Sequence, residues 1–132
     1  MLTLIDSSVL AVLHRGLVAF DAIAFAGDDE IALAPVTASG LLRGVYRTSS
    51  PEQRARREAF VERLLDVVPV IPFDQTAARL HARLWEEAVA RGARVAVNDL
   101  IIAATAMANG GRVATHDLRT FGEIPGLVLL RC

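Results

Sequence analysis

Leu2-Thr3-Leu4-Ile5-Asp6-Ser7-Ser8-Val9-Leu10 opens the chain and decides how the rest of it is read. Leu2 to Ile5 form a short apolar run that fits a buried strand, and the strand ends at Asp6. Asp6-Ser7-Ser8 can cap a helix, for which Val9, Leu10, Val12 and Leu13 supply the apolar spacing. Strand, acid and helix then recur along the chain. Leu17 to Ala26 has helical spacing and closes at Gly27-Asp28-Asp29, and Ile31 to Ala34 fits a second strand. Thr37 opens a helix carrying Leu41, Leu42 and Val45. Ser50-Pro51-Glu52 has the hydroxyl, the proline and the acid of a helix start, continued by Phe60, Val61, Leu64 and Leu65. Val68 to Ile71 fits a third strand. From Asp74, the spacing of Ala77, Leu80, Leu84 and Ala88 predicts one long amphipathic helix ending near Gly92. Asn98 is placed to cap a helix holding Leu100, Ile101, Ala104 and Met107, which stops at Asn109-Gly110-Gly111. Val113 to Thr115 and Leu127 to Leu130 complete the strands. Short strands alternating with helices predict a parallel sheet covered on both faces, an α/β sandwich.

The 132 residues fit one domain, 1–132, with no repeat or linker. An apolar content of 53 % against 22 % charged argues against disorder and for a filled core or a buried partner surface. No apolar run is long enough to span a bilayer, and a basic start with a cleavage site is lacking, so the expected compartment is the cytoplasm. Cys132 is the only cysteine, which leaves no internal disulfide and no thiolate metal site. All the basic residues are Arg, which counts against a P-loop, a receiver domain or a haloacid-dehalogenase-type phosphatase, each of which uses a Lys. A formal net charge of −1 means that a nucleic acid would be held by a local patch.

Parallel sheets bind ligands beyond the carboxyl ends of their strands. Asp6 follows the first strand, Asp117 follows the strand ending at Thr115, and Asp99 stands in the first turn of a helix in the same half of the fold. If those ends lie side by side, three carboxylates converge, and their repulsion is relieved by a cation. Oxygen donors without cysteine or paired histidine favour a hard ion, Mg²⁺ or Mn²⁺, able to bridge to a phosphate. Each acid also has an ordinary explanation: Asp6 as a helix cap, Asp99 as a charge on the helix dipole, Asp117 as a turn former. His14, His81 and His116 share no metal-ligand spacing and no nucleophile partner. His116 is expected to be a surface turn residue.

Three stretches resemble the PIN-domain ribonuclease family, and within it the VapC toxins of type II toxin–antitoxin systems. Leu4-Ile5-Asp6-Ser7-Ser8-Val9-Leu10 is similar to the opening strand and metal-binding turn of that family. Asn98-Asp99-Leu100-Ile101-Ile102-Ala103-Ala104-Thr105-Ala106 is similar to its central acidic helix. Thr115-His116-Asp117-Leu118-Arg119-Thr120-Phe121 with Ile124-Pro125-Gly126-Leu127 resembles the VapC C-terminal block. The resemblance spans the chain and implies a PIN-like three-layer sandwich with a mostly parallel central sheet. It implies that Asp6 and Asp99 ligate the metal, that Asp117 is a third acid acting on the metal or its water, and that Ser8 is a hydroxyl behind the ligands. It further implies Mg²⁺- or Mn²⁺-dependent cutting of a structured RNA such as tRNA or rRNA. The partners it implies are a VapB-type antitoxin and a second copy of the chain, in a homodimer and a toxin–antitoxin hetero-oligomer.

One position departs from the pattern. The family carries Glu in a Ser-Glu-Leu-x-x-Gly context, whereas this chain has Ser39-Gly40-Leu41-Leu42-Arg43-Gly44, so that Gly40 stands where the acid is expected. A mid-helix glycine costs about 1 kcal/mol relative to alanine. It is either a natural variant or a substitution that silences cutting, and the latter would leave a module that only binds its antitoxin. A metal-dependent phosphatase is the third reading, disfavoured by the missing Lys and Asp-x-Asp motif. Arg43, Arg47, Arg54, Arg56 and Arg57 form the densest basic segment, and they either guide RNA or form a solvated helix face interleaved with Glu52 and Glu58. Trp85, Phe60 and Leu64 are candidates for partner surfaces or for core.

Overall fold

The computed structural model describes residues 1–14 and 30–131. The helical stretch expected over Leu17 to Ala26 and the terminal Cys132 lie outside the described residues. Among the described residues four parallel strands form the sheet: β1 (Leu2–Ile5), β2 (Glu30–Ala32), β3 (Arg112–Thr115) and β4 (Leu129–Arg131), in the order β2-β1-β3-β4. Thr3 pairs with Ile31 on one side of β1 and with Arg112 on the other, and Val113 pairs with Leu129. This central placement of β1 and β3 puts Asp6 and Asp117 beyond adjacent strand ends.

Among the described residues six helices connect and cover the strands: α1 (Ser7–His14), α2 (Pro35–Arg47), α3 (Pro51–Val67), α4 (Gln75–Ala90), α5 (Val97–Ala108) and α6 (Leu118–Phe121). Successive strand residues face opposite sides of the sheet. Leu4 accordingly packs with Leu84, Leu100, Ala103 and Phe121 on one side, while Ile5 packs with Val9, Leu10, Leu64 and Val68 on the other. The three-layer sandwich follows from that alternation. Among the described residues no helix is long and apolar enough to cross a membrane.

Several local expectations change. Val68 to Ile71 is no strand; it makes a single bridge, Leu33 to Val70, with Leu33 N donating to the Pro69 carbonyl and Ile71 N to the Leu33 carbonyl, both at 2.9 Å. Pro69 and Pro72 have no amide hydrogen to extend a ladder. α2 begins two residues before Thr37, because Pro35 suits the first helical position. Ser50 and Asp74 do cap α3 and α4, accepting from Gln53 N and Ala77 N. Asn98 does not cap α5: Ala96 holds that position without a side-chain bond, and Asn98 lies inside the helix. Leu64 is core at 1 % exposure and Phe60 packs against it, whereas Trp85 is 53 % exposed.

α5 ends at Asn109, after which Gly110 takes φ 64° and Gly111 N returns to the Ala106 carbonyl at 2.8 Å. A Cβ on Gly111 would lie 2.6 Å from the Leu2 carbonyl oxygen in β1, so the helix–strand turn needs a residue with no side chain there. Gly111→Ala is therefore expected to destabilise the fold by about 1–3 kcal/mol, the usual range for overpacking. A thermal melt of the variant beside the parent checks it, and equal midpoints would show that the turn gives way freely.

Candidate active site

The β1 strand carries Asp6 to the sheet's carboxyl end, where Asp6 N donates to the Ala114 carbonyl at 3.0 Å and ties it to β3. Its backbone carbonyl accepts from Val9 N and Leu10 N and so starts α1. The capping is done by the main chain, which leaves the carboxylate to hydroxyl groups. Ser8 Oγ donates to Asp6 Oδ2 at 2.8 Å, Thr115 Oγ1 donates to the same oxygen at 2.9 Å, and Ser7 Oγ approaches Oδ1 at 3.4 Å. At 5 % exposure Asp6 is a buried acid held by alcohols, with Oδ1 the less engaged oxygen. Among the described residues its carboxylate has no ion pair.

Asp99 stands in the first turn of α5 and lines a cleft of about 420 Å³ with Asp6, Thr37, Gly40, Asn98 and Ile102. Burial, then the negative charge of Asp6, then that of Asp117 push its carboxyl up from 3.8 to about 6. Asp99 thus feels both other acids. Asp117 is exposed and caps α6, accepting from Thr120 N at 3.4 Å and Thr120 Oγ1 at 3.2 Å, so its structural role is real alongside any chemical one. Thr115 Oγ1 also accepts from Asp117 N at 2.8 Å. One hydroxyl therefore touches both the Asp6 carboxylate and the Asp117 backbone.

Thr115 attracts no functional reading in the sequence, where it looks like the last residue of a strand. Its position two residues before Asp117 was the available signal. Ser8 Oγ, bonded to the Asp6 carboxylate, also accepts from His116 N at 3.1 Å. The His116 side chain is exposed. The side chain of His14 is outside what is described. His81 lies between Phe73 and Trp85, with ring centroids 5.7 and 5.8 Å away, and takes no part in the site.

Gly40 is exposed on α2 and lines the acidic cleft, and nothing lies within 4 Å of the point a Cβ would occupy there. It is not among the positive-φ glycines. Neither backbone conformation nor close approach demands a glycine at this position. Arg57 crosses the neighbouring turn, its Nη1 donating to the Gly44 carbonyl and Thr48 Oγ1 at 3.3 Å each.

The donors suit a hard divalent ion, being carboxylate and hydroxyl oxygens, and the buried Thr37 hydroxyl on the cleft wall has no partner among the described residues. The ligand set is not closed, however. Among the described residues no three Asp, Glu, His or Cys side chains converge tightly enough to hold one ion by themselves. An ion that keeps several waters and leans on one or two carboxylates, as Mg²⁺ does, fits such an open arrangement.

Residues 3–127 match the PIN domain family. The chain is 28 % identical to "Ribonuclease VapC1" of Rickettsia felis over 127 residues, covering 96 % of this chain and 93 % of that protein. It is 30 % identical to "tRNA(fMet)-specific endonuclease VapC" of Salmonella typhimurium over 97 residues, 74 % of this chain and 71 % of that one. In three dimensions it is similar to VapBC-5 of Mycobacterium tuberculosis, with TM-score 0.80, 30 % identity and coverage of 99 % and 98 %. The fold also matches VapBC2 of Rickettsia felis, solved on a promoter DNA fragment, at TM-score 0.88 and 21 % identity over 100 % and 99 % of the two chains. With its acids at adjacent strand ends and these likenesses along its length, the chain belongs to the PIN domain family as a VapC-type member.

Proposed function

We propose that this chain is the toxin of a VapBC pair, a Mg²⁺- or Mn²⁺-dependent endoribonuclease acting in the cytoplasm on a structured RNA such as a tRNA or rRNA. The observation that carries the reading is the meeting of Asp6 and Asp99 in one cleft beyond the carboxyl end of β1, with Asp117, beyond the end of β3, near enough to act on Asp99 through its charge. Asp6 and Asp99 would hold the ion, and Asp117 would act from the rim. When bound, the ion supplies positive charge for the scissile phosphate and acidifies water for in-line attack. Ser8 and Thr115 fix one oxygen of Asp6 and so aim the other. The acids do not become covalently attached to RNA, and the products carry a 5′-phosphate and a 3′-hydroxyl. Purified protein incubated with tRNA and rRNA in Mg²⁺, Mn²⁺ or EDTA tests this, with end-group analysis of any fragments. Cleavage that persists in EDTA would overturn it.

A second reading, a binding module that no longer cuts, is favoured by one observation: Gly40 withholds a carboxylate from a place with room for it. Both readings keep the antitoxin. A cleft of about 330 Å³ between α1, α2 and α3, with Leu10, Leu41 and Phe60 in its walls, offers an apolar seat for a partner helix. Trp85 and Val89, exposed on α4, offer a second apolar surface for another copy of the chain. The antitoxin encoded beside this chain is expected to co-purify with it from native cells despite Gly40. Recovery of the chain without a small partner would count against the toxin assignment under either reading.

A further inference from the structure

A groove of about 970 Å³ opens at Asp117, and its walls carry Arg91, Arg94 and Arg119 together with Thr120 and Glu123. The arginines come from two separate parts of the chain. α4 finishes with Gly92 at φ 68°, Gly92 N donating to the Val89 carbonyl at 3.1 Å and Ala93 N to the Ala88 carbonyl at 2.9 Å. This two-bond helix ending reverses the backbone and leaves Arg91 and Arg94 on either side of the turn. Arg119 follows Asp117 by two residues on α6. Arg91 is held in place, Nη2 donating to the Glu123 carbonyl at 2.9 Å and Nε to the Glu87 carbonyl at 3.4 Å.

Asp117 and Glu123 share this groove, yet among the described residues no ion pair joins a carboxylate to any of the three guanidinium groups. Three unpaired cations along one groove raise the local concentration of a polyanion. A guanidinium also meets a phosphate with two parallel N–H groups, which an ammonium cannot do. The densest basic segment of the sequence is less well placed. Arg47, Arg56 and Arg57 line a different groove, of about 590 Å³, that includes none of the three acids, and Arg57 is already engaged by Gly44 and Thr48.

We propose that the groove of Arg91, Arg94 and Arg119 holds the sugar–phosphate backbone of the RNA substrate and leads it past Asp117 into the acidic cleft. This rests on the nuclease reading above and adds the path of the strand. Arg94 and Arg119 are the phosphate-contacting groups, and Arg91 is a positioning residue that braces the turn against the α6 segment.

The test measures binding of an in-vitro-transcribed tRNA to the parent protein in Mg²⁺ across about 50–200 mM salt, where each lost phosphate contact flattens the log–log slope by roughly 0.7–0.9. Arg94→Ala/Arg119→Ala should flatten it by about 1.4–1.8 and weaken low-salt binding at least about tenfold. Arg94→Lys/Arg119→Lys should keep most of the slope, and Arg47→Ala/Arg56→Ala should leave it near the parent's. A parent that binds no tRNA at any salt removes the nuclease reading itself and the groove with it. A parent that binds while the Arg94/Arg119 pair keeps its slope overturns the groove alone, whether or not the Arg47/Arg56 pair takes the loss. Loss of the co-expressed antitoxin with an unchanged RNA slope would make the groove a protein dock and would likewise overturn the proposal.

Discussion

Gly40→Glu is expected to switch RNA cleavage on, or to raise it by at least about tenfold, equivalent to about 1.4 kcal/mol of barrier. The position is open: nothing lies within 4 Å of where its Cβ would stand, and it shares the cleft with Asp6 and Asp99. Glu is also a better helix former than Gly, so the backbone of α2 should gain several tenths of a kcal/mol. Against this gain stands a fourth negative charge. Asp99 is already pushed up by burial and by the charges of Asp6 and Asp117, and another carboxylate lining the cleft raises the repulsion further in the absence of metal. In EDTA the variant should therefore be no more stable than the parent near neutral pH, and in Mg²⁺ it should gain more than the parent does.

Gly40→Gln separates charge from shape. It restores the helix and fills the same space without an acid, so it should melt higher than the parent and cut no faster. New cleavage by Gly40→Glu should vanish on adding Asp6→Asn, and its expression should be toxic unless the antitoxin is supplied. If Gly40→Glu cuts a panel of tRNA and rRNA no faster than the parent in either metal, residue 40 is not the missing acid.

The layered fold was legible because apolar strands and amphipathic helices alternate without interruption, and because Leu4 and Ile5 each have an apolar layer to face. Where the structure departs from local propensity, a competing local rule decides. Val68 to Ile71 has strand composition, but Pro69 and Pro72 limit it to one bridge. Asn98 is a good capping residue, but the α5 backbone starts one residue earlier, at Val97 after Ala96. The three acids stand out as candidates in the sequence because each closes an apolar strand or opens an apolar helix. Their supports do not, since the bond from Thr115 to Asp6 joins residues 109 positions apart. The same holds for Arg91, Arg94 and Arg119, which chain density overlooks and the sheet topology gathers beside Asp117.

Asp99→Asn is expected to abolish most of the response of the protein to metal and to remove the Asp99 part of its pH dependence. A carboxyl raised from 3.8 to about 6 ionises less readily in the folded chain than in the unfolded one, so the folded state binds more protons. Its contribution is favourable below the unfolded value and is lost as pH rises through about 6, which leaves the metal-free protein penalised at neutral pH. Full conversion of the shift would give roughly 3 kcal/mol, and solvent at this partly exposed group leaves on the order of 1 kcal/mol. Asn carries no charge to penalise. In EDTA the variant should therefore melt several degrees above the parent near pH 7.5 and close to it near pH 4, with about 3–6 °C expected for this size of domain. Metal inverts the order. With a dissociation constant of about 1 mM, about 10 mM Mg²⁺ stabilises the parent by roughly 1.4 kcal/mol. That gain should fade as pH falls below about 6, because a protonated Asp99 no longer offers a full negative charge. The variant should show little metal gain at either pH and should lose any cleavage that the Gly40→Glu background provides. Parent and Asp99→Asn melting alike in EDTA and alike in Mg²⁺ or Mn²⁺ would remove Asp99 from the metal site, whatever the activity measurements show.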